Sequence, residues 1–222
     1  MNSFYQLIIS QGVAPEAAVL ILSLPIIVTL IAFFRQIIGI KGFGVYAPVV
    51  TTFSFLVVGL VHGLIIFISI LITGSIMRYI AKRLRLLYLP RMAIIIIGAQ
   101  LSVFALSVIG SYYDIINLIP NTVSVFAVLV MIIIIEKFVS SQIEKGTRQA
   151  IALTLETLAL SIACFVVISL PFVQGLIITY PFWIIFTTLI INILLGKWTG
   201  LRLSEYFRFR KVIQHVDLPS KK

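Results

Sequence analysis

The stretch "VYAPVVTTFSFLVVGLVHGLIIFISILITGSIM" at residues 45–77 decides the fold, because its 33 residues include no Lys, Arg, Asp or Glu. As one helix it would be about 50 Å long at 1.5 Å per residue. The hydrocarbon core of a bilayer is only about 30 Å thick. Its apolar run is continuous rather than alternating, which argues against a barrel strand. The stretch is therefore too long for one transmembrane helix.

The basic residues that flank this stretch favour a hairpin. Two precede it and four follow it, namely Arg35, Lys41, Arg78, Lys82, Arg83 and Arg85. A single span would put one of these clusters outside the cell, whereas a turn near Gly59–Gly63 keeps both inside. The same rule, applied to the whole chain, places all 17 Lys and Arg residues on the cytoplasmic side. The only charged residues that this topology places on the outer face are then Glu16 and Asp114.

The composition is that of a polytopic membrane protein. The 222 residues are 61% hydrophobic and 11% charged, with a mean hydropathy of +1.18, and a soluble domain cannot hide so much apolar surface. The net charge of +10 does not indicate a nucleic-acid partner, because the basic residues adjoin membrane segments. We expect no cleavable signal peptide, since the first apolar run follows Pro15-Glu16 without a basic region. The only cysteine, Cys164, excludes an intrachain disulfide.

We predict an all-α membrane protein, a seven-helix transmembrane bundle with its N-terminus outside and its C-terminus inside. The second segment is short, so it could be re-entrant or strongly bent. Residues 1–16 form a short extracytoplasmic N-terminus, 17–200 the transmembrane domain, and 201–222 a basic, amphipathic cytoplasmic tail. The seven predicted segments are 17–34, 45–58, 60–77, 92–110, 119–136, 150–172 and 177–195.

No catalytic constellation is evident in the sequence. The two histidines, His62 and His215, are too far apart for an H-E-x-x-H metal helix. Asp114 and Asp217 lie outside the predicted spans, so they do not form an intramembrane protease dyad. We interpret His62 as a residue that caps or anchors the outer turn. We therefore expect that the chain is not an enzyme and that it uses no metal ion or cofactor.

A glycine-rich stretch, "GIKGFGVYAPVVTTFSF" at residues 39–55, has two interpretations. It matches neither the dinucleotide fingerprint nor a potassium-channel filter. In the structural interpretation the glycines permit a tight turn, Pro48 lies in the first turn of the next helix, and Thr51 and Thr52 bond back to the backbone. In the functional one, a helix that starts at membrane depth offers N–H groups to an anionic substrate. In this functional interpretation the candidate binding residues are Arg35, which precedes the stretch, and Gly39, Lys41, Gly42, Gly44 and Pro48 within it.

Two acids adjoin or enter the predicted spans. Glu136 stands beside Lys137 at the cytoplasmic border, where an interfacial ion pair explains it. Glu156 lies about 12 Å inside Arg148 if the segment is helical. An acid at that depth usually faces the bundle interior. Glu156 is thus either a hydrogen-bonded packing residue or a proton or cation site, unless snorkelling of Arg148 places it nearer the surface.

Four motifs occur in an order that resembles a known family. They are "FFRQIIGIKGFGVYAPV" (33–49), "RLRLLYLPRMAI" (83–94), "IIIEKF" (133–138) and "LLGKWTGLRLSEYFRFR" (194–210). Together they resemble the seven-transmembrane domain of bacterial proteins in which an inactive transglutaminase is fused to seven transmembrane helices. The resemblance covers about residues 17–211, and we expect the transglutaminase-like domain to be missing here.

The resemblance implies a setting in the bacterial inner (plasma) membrane. Members of the family look like membrane partners of a cytoplasmic ATP-grasp, glutamate-ligase-like enzyme, often beside a zinc-dependent peptidase. Such a system is thought to make a peptide or polyglutamate conjugate. The implied function is a non-catalytic, multi-pass membrane subunit that partners this system and could export its product.

Two alternatives to that function remain open. One is a stand-alone small-molecule or ion transporter that uses Glu156 as its coupling acid. The other is a structural membrane anchor for a partner complex, and homo-oligomerisation also stays open. In the preferred hypothesis, the residues that bind substrate or partner are those of the glycine-rich stretch together with Arg83, Arg85, Glu136, Arg202, Glu205 and Arg208.

Overall fold

The computed structural model of the chain describes residues 15–84, 86–113 and 125–197, and their regular structure is entirely helical. A π-helical turn, Phe34–Ile38, follows the first helix directly. The α-helices are α1 (Pro15–Phe33), α2 (Tyr46–Val58), α3 (Leu60–Arg83), α4 (Tyr88–Tyr113), α5 (Val125–Lys145), α6 (Thr147–Ser169), α7 (Pro171–Thr179) and α8 (Pro181–Gly196). The predicted all-α class is confirmed.

Several described helices have the length and composition of membrane spans. Four segments qualify by themselves, namely Ala17–Ile38, α3, Tyr88–Leu106 and α6, and the bent pair α7–α8 can count as a fifth. At 13 residues, α2 is only about 20 Å long and does not cross a bilayer alone. A multi-pass membrane protein is therefore supported, while seven spans and their orientation stay predictions.

The last predicted segment, 177–195, is wrong as a single helix. The structure divides this region into α7 and α8, whose axes differ by 106°. Pro181 has no N–H to continue the helical ladder, and a proline disfavours helical backbone in the residue before it. Tyr180 accordingly has φ −132° and ψ 57°. Pro171 starts α7 in the same way, six residues earlier than the predicted segment.

The loops are also shorter than the sequence indicates. The predicted cytoplasmic loop 78–91 shrinks to residues 84–87, because α3 continues to Arg83 and α4 begins at Tyr88. Likewise α5 extends nine residues beyond Glu136, and only Gly146 separates α5 from α6. Polar residues at these helix ends continue the helix past the apolar run, so hydropathy placed the boundaries too early.

The chain folds back at the break between α2 and α3, as the predicted turn near Gly59–Gly63 requires. Gly59 has φ 91° and ψ 152° and separates the two helices. A side chain on Gly63 would collide with the ring of Phe55. In a straight helix these two positions would be about 12 Å apart. The glycine at 63 therefore lets α3 turn back closely against the end of α2.

The chain forms two compact units, and the first contains α1, the π-helical turn, α7 and α8. Within it, the Asn192 amide donates a 2.7 Å hydrogen bond to Thr29 Oγ1. The Thr29 hydroxyl in turn donates to the Pro25 carbonyl of α1 at 2.7 Å. An apolar pair of helices, α1 and α8, is thus joined by a polar contact, which fixes their register.

The second unit, residues 42–169, contains α2 to α6 around an apolar core. Its centre includes Phe55, Ile66, Ile95 and Ile135, all of them nearly or fully buried. Small residues allow the helices to approach closely. A Cβ on Gly74 of α3 would collide with Ile135 of α5. This unit holds most of the predicted site residues that the structure describes.

Candidate functional site

The glycine loop 42–45 lies well down the length of α6 rather than at its end. The Gly42 N–H donates to Glu156 Oε2 at 2.8 Å, and the Phe43 N–H donates to Thr157 Oγ1 at 2.9 Å. Thr157 comes ten residues after Thr147, the first residue of α6, which is about 15 Å along the helix. The short helix α2 therefore starts beside the middle of α6.

Polar contacts hold α2 alongside α6 from there on. The Ser161 hydroxyl donates to the Pro48 carbonyl at 3.1 Å, and the Thr52 hydroxyl approaches the Ser161 carbonyl at 3.4 Å. Thr51 and Thr52 also donate to Ala47 O and Pro48 O, at 2.8 Å and 2.7 Å. The predicted bonds of both threonines to the helix backbone are thus confirmed.

A cavity of about 390 Å³ lies over the start of α2, and we call it the vestibule. Its floor is the glycine loop with the first turn of α2, where a helix has amide groups without intrahelical acceptors. Its wall is the last three turns of α5. The polar residues of that wall are Lys137, Ser140, Ser141, Glu144 and Lys145. Two lysines against one glutamate leave this wall with a net positive charge.

Basic side chains of the second unit gather at one end, which we call the basic end. The short connections 84–87 and Gly146 bring the ends of α3 and α5 beside the starts of α4 and α6. Arg78 ties α3 to α5, donating from Nη1 to Gln142 Oε1 at 2.6 Å and from Nη2 to Gln142 O at 3.1 Å. Between residues 42 and 169, the described Lys and Arg residues at this end are Arg78, Lys82, Arg83, Arg91, Lys145 and Arg148, while Lys137 lies about 12 Å along α5 from Lys145.

The predicted site residues of this region belong to two different units. Arg35 is half-buried in the π-helical turn of the first unit. Gly39 ends that turn with φ 91°, and its N–H donates to Phe34 O at 3.0 Å. Lys41 is exposed. Gly42, Gly44 and Pro48 belong instead to the floor and first turn of the second unit.

Other predicted residues are placed differently or not described. Glu136 is exposed on α5, and its neighbour Lys137, not Glu136, lines the vestibule. Arg83 ends α3, where its guanidinium donates to Tyr79 OH at 3.1 Å and lies over that ring. Four predicted residues lie outside the described residues, namely Arg85, Arg202, Glu205 and Arg208.

Sequence reasoning missed the polar stripe of α6. Thr154, Thr157, Ser161 and Cys164 are all buried and recur every three or four residues, the spacing of one helix face. That spacing could have shown which face of α6 receives the glycine loop. Across the described ranges, no three His, Cys, Asp or Glu side chains are grouped so that they could hold a metal ion.

A family model matches residues 3–213 of the chain, and its description is seven transmembrane helices usually fused to an inactive transglutaminase. The chain belongs to this family. No curated protein and no solved structure matches the sequence of this chain. Membership confirms the resemblance carried by the four motifs. It also supports the chain's placement in a membrane with several spans.

Proposed function

We propose that this chain is a non-catalytic membrane subunit that receives an anionic product from a cytoplasmic ATP-grasp, glutamate-ligase-like enzyme and passes it outward. The observation that carries the proposal is the vestibule. Its wall extends from Lys145 at the basic end to Ile133, about 18 Å along α5, and the glycine loop is its floor. A helix start below a positively charged wall is suited to carboxylate groups.

The basic end is the proposed docking surface for the ligase, in the orientation that the positive-inside rule gives. Lys82, Arg83, Lys145 and Arg148 are exposed there. Surface charges of one sign attract a partner of the opposite sign and raise its association rate. We extend this surface to Arg85, Arg202 and Arg208 on the basis of the sequence alone. A zinc-dependent peptidase is the second proposed partner.

A tagged pull-down in gentle detergent from native cells tests the docking. We expect the wild-type chain to retain an ATP-grasp ligase or a zinc peptidase, identified by mass spectrometry. Lys145→Glu with Arg148→Glu, on either side of the Gly146 turn, should release the partner. The matched control, Lys145→Arg with Arg148→Lys, preserves both charges and should retain it. A wild-type complex that survives the double charge reversal would contradict docking at this end.

A second candidate, a stand-alone transporter, is favoured by the position of Glu156. This half-buried acid lies about 14 Å along α6 and touches the glycine loop. Intramembrane acids commonly mark ion pathways. Purified protein in proteoliposomes should then take up amino acids or short acidic peptides in response to a proton gradient, and Glu156→Gln should abolish the gradient dependence. Uptake that stays proton-coupled in this variant would exclude Glu156 as the coupling acid.

A further inference from the structure

A second, larger cavity of about 730 Å³ lies between α3, α5 and α6 of the second unit, and we call it the lipid groove. Most of its lining surface is apolar, and its aliphatic residues are Ile68, Leu71, Ile72, Ile76, Ile151 and Leu155. Ile72 is 57% and Leu155 60% exposed, so the groove is open sideways along helices long enough to span. The four α3 residues of its wall cover about 12 Å, close to the length of an extended eight- to ten-carbon chain segment.

Most polar residues of the groove lie together at its basic end, namely Arg78, Tyr79, Lys82, Gln142 and Thr147, whereas Ser75 and Thr154 line it farther along α3 and α6. No acidic residue lines the groove among the described residues. Arg78 is held in place by its two hydrogen bonds to Gln142. Thr147 is the first residue of the 23-residue helix α6, whose N-terminus adds a partial positive charge. The mouth of the groove is therefore cationic, and its wall is apolar.

Arg78 is also in an electrostatically unfavourable position. Partial burial disfavours its charge, and the charge of Arg91 in α4 adds a smaller repulsion. The Arg91 Nε is buried without a hydrogen-bond partner, although Nη2 donates to Leu86 O at 2.8 Å. Within the described ranges, neither arginine has a carboxylate partner. A half-buried guanidinium group such as that of Arg78, with no carboxylate beside it, is stabilised when an anion binds next to it.

We propose that the lipid groove binds an anionic phospholipid. The headgroup phosphate accepts hydrogen bonds from Arg78 and Lys82, and one acyl chain lies along the aliphatic wall of α3 and α6. Basic pockets between transmembrane helices favour anionic lipids, and Arg matches phosphate geometry. A soluble anion would leave the aliphatic wall uncovered, so the walls favour a lipid. This site is separate from the vestibule and does not depend on the proposed function.

Lipid binding to the purified full chain tests the proposal. Native mass spectrometry with phosphatidylglycerol should show one tightly bound lipid, and phosphatidylcholine should bind at least tenfold more weakly. Arg78→Gln and, separately, Lys82→Gln should each weaken phosphatidylglycerol binding about tenfold. Lys82 has an exposed side chain, so its variant is expected to fold even if Arg78→Gln does not. Arg148→Gln removes one charge at the same end without touching the groove, and its binding should equal that of the wild type.

Three results would overturn the proposal. The first is equal binding of phosphatidylglycerol and phosphatidylcholine by the wild-type chain. The second is a loss of affinity in Arg148→Gln as large as that in Lys82→Gln, which would indicate only nonspecific attraction to the basic end. The third is protection by inorganic phosphate that matches protection by phosphatidylglycerol in a thermal-unfolding assay. That last result would show that the site binds phosphate alone and that the acyl chain makes no contribution through the apolar wall.

Discussion

The Glu156 carboxylate accepts the backbone N–H of Gly42 at 2.8 Å, across 114 residues of sequence. This hydrogen bond joins an acid inside a predicted span to a glycine of the loop that precedes α2. The contact fixes the glycine loop beside the middle of α6, with Thr157 accepting the next amide. Glu156 therefore helps to position the start of α2, whatever ligand the vestibule holds.

Substitutions at Glu156 should separate its hydrogen bond from its charge. Glu156→Ala removes the acceptor of the Gly42 amide and should lower the free energy of unfolding by about 1.5–3 kcal/mol, the range for hydrogen bonds to charged groups. Glu156→Gln keeps a side-chain carbonyl as acceptor and should cost less than about 1 kcal/mol. Thermal unfolding in one detergent measures both. Equal losses in the two variants would show that the charge, not the acceptor, stabilises the loop.

Substitutions of glycine by alanine should cost more at position 42 than at position 146. Both glycines have positive φ, +48° and +86°, and the left-handed region costs an alanine about 1–2 kcal/mol. A Cβ at position 42 would also lie 3.1 Å from Thr157 Oγ1, whereas at 146 it meets nothing within 4 Å. Crowding should therefore add roughly 1 kcal/mol in Gly42→Ala.

Gly196→Ala provides the control for this pair. Its Cβ would meet nothing within 4 Å, and its φ is not positive. Gly196 lies at the end of α8, so the Gly196→Ala substitution should change the midpoint of thermal unfolding only a little. A Gly42→Ala protein as stable as Gly146→Ala would show that the loop relaxes away from Thr157 and is not fixed beside the middle of α6 as described above.

The sequence specified the class of the fold and several local details. Apolar runs and the distribution of Lys and Arg predicted helices, the break at Gly59 and the hydrogen bonds of Thr51 and Thr52. These features follow from length, charge and local geometry, which act over a few residues. The four family motifs also led to the correct family. Such signals are read from neighbouring positions and need no knowledge of packing.

The composition of the candidate site was less predictable, because it depends on contacts distant in sequence. Nothing local to Glu156 indicates that its partner is the Gly42 amide. Lys137 was missed in favour of Glu136, because adjacent residues of a helix face directions about 100° apart and only packing selects one. The α7–α8 bend was missed as well, since Pro181 lies inside an otherwise continuous apolar run.

The close approach of α3 and α5 can be tested by a size exchange. Gly74→Ala places a methyl group against buried Ile135 and should cost about 1–3 kcal/mol through overpacking. Ile135→Val removes Cδ1, the nearer of the two Ile135 carbons that would collide, and should cost about 0.5–1.5 kcal/mol by itself. The double variant should lose less stability than the sum of the single losses, because the valine makes room for the alanine. Additive losses in this double-mutant cycle would contradict direct contact between the two positions.

The orientation of the second unit can be tested by cysteine labelling. Cys164 is the only cysteine in the sequence and is buried, so Cys164→Ser gives a background without thiols. Val61 is exposed at the start of α3, about 30 Å along the helix from Lys82, and Lys145 is exposed at the basic end. An impermeant maleimide added to intact cells should label Val61→Cys but label Lys145→Cys only after the membrane is opened. The physical reason is that basic residues are retained in the cytoplasm, while the turn at Gly59 returns the chain towards them. Labelling of both positions from the same side would show that α3 does not cross, and the reverse pattern would move the proposed docking surface to the outer face.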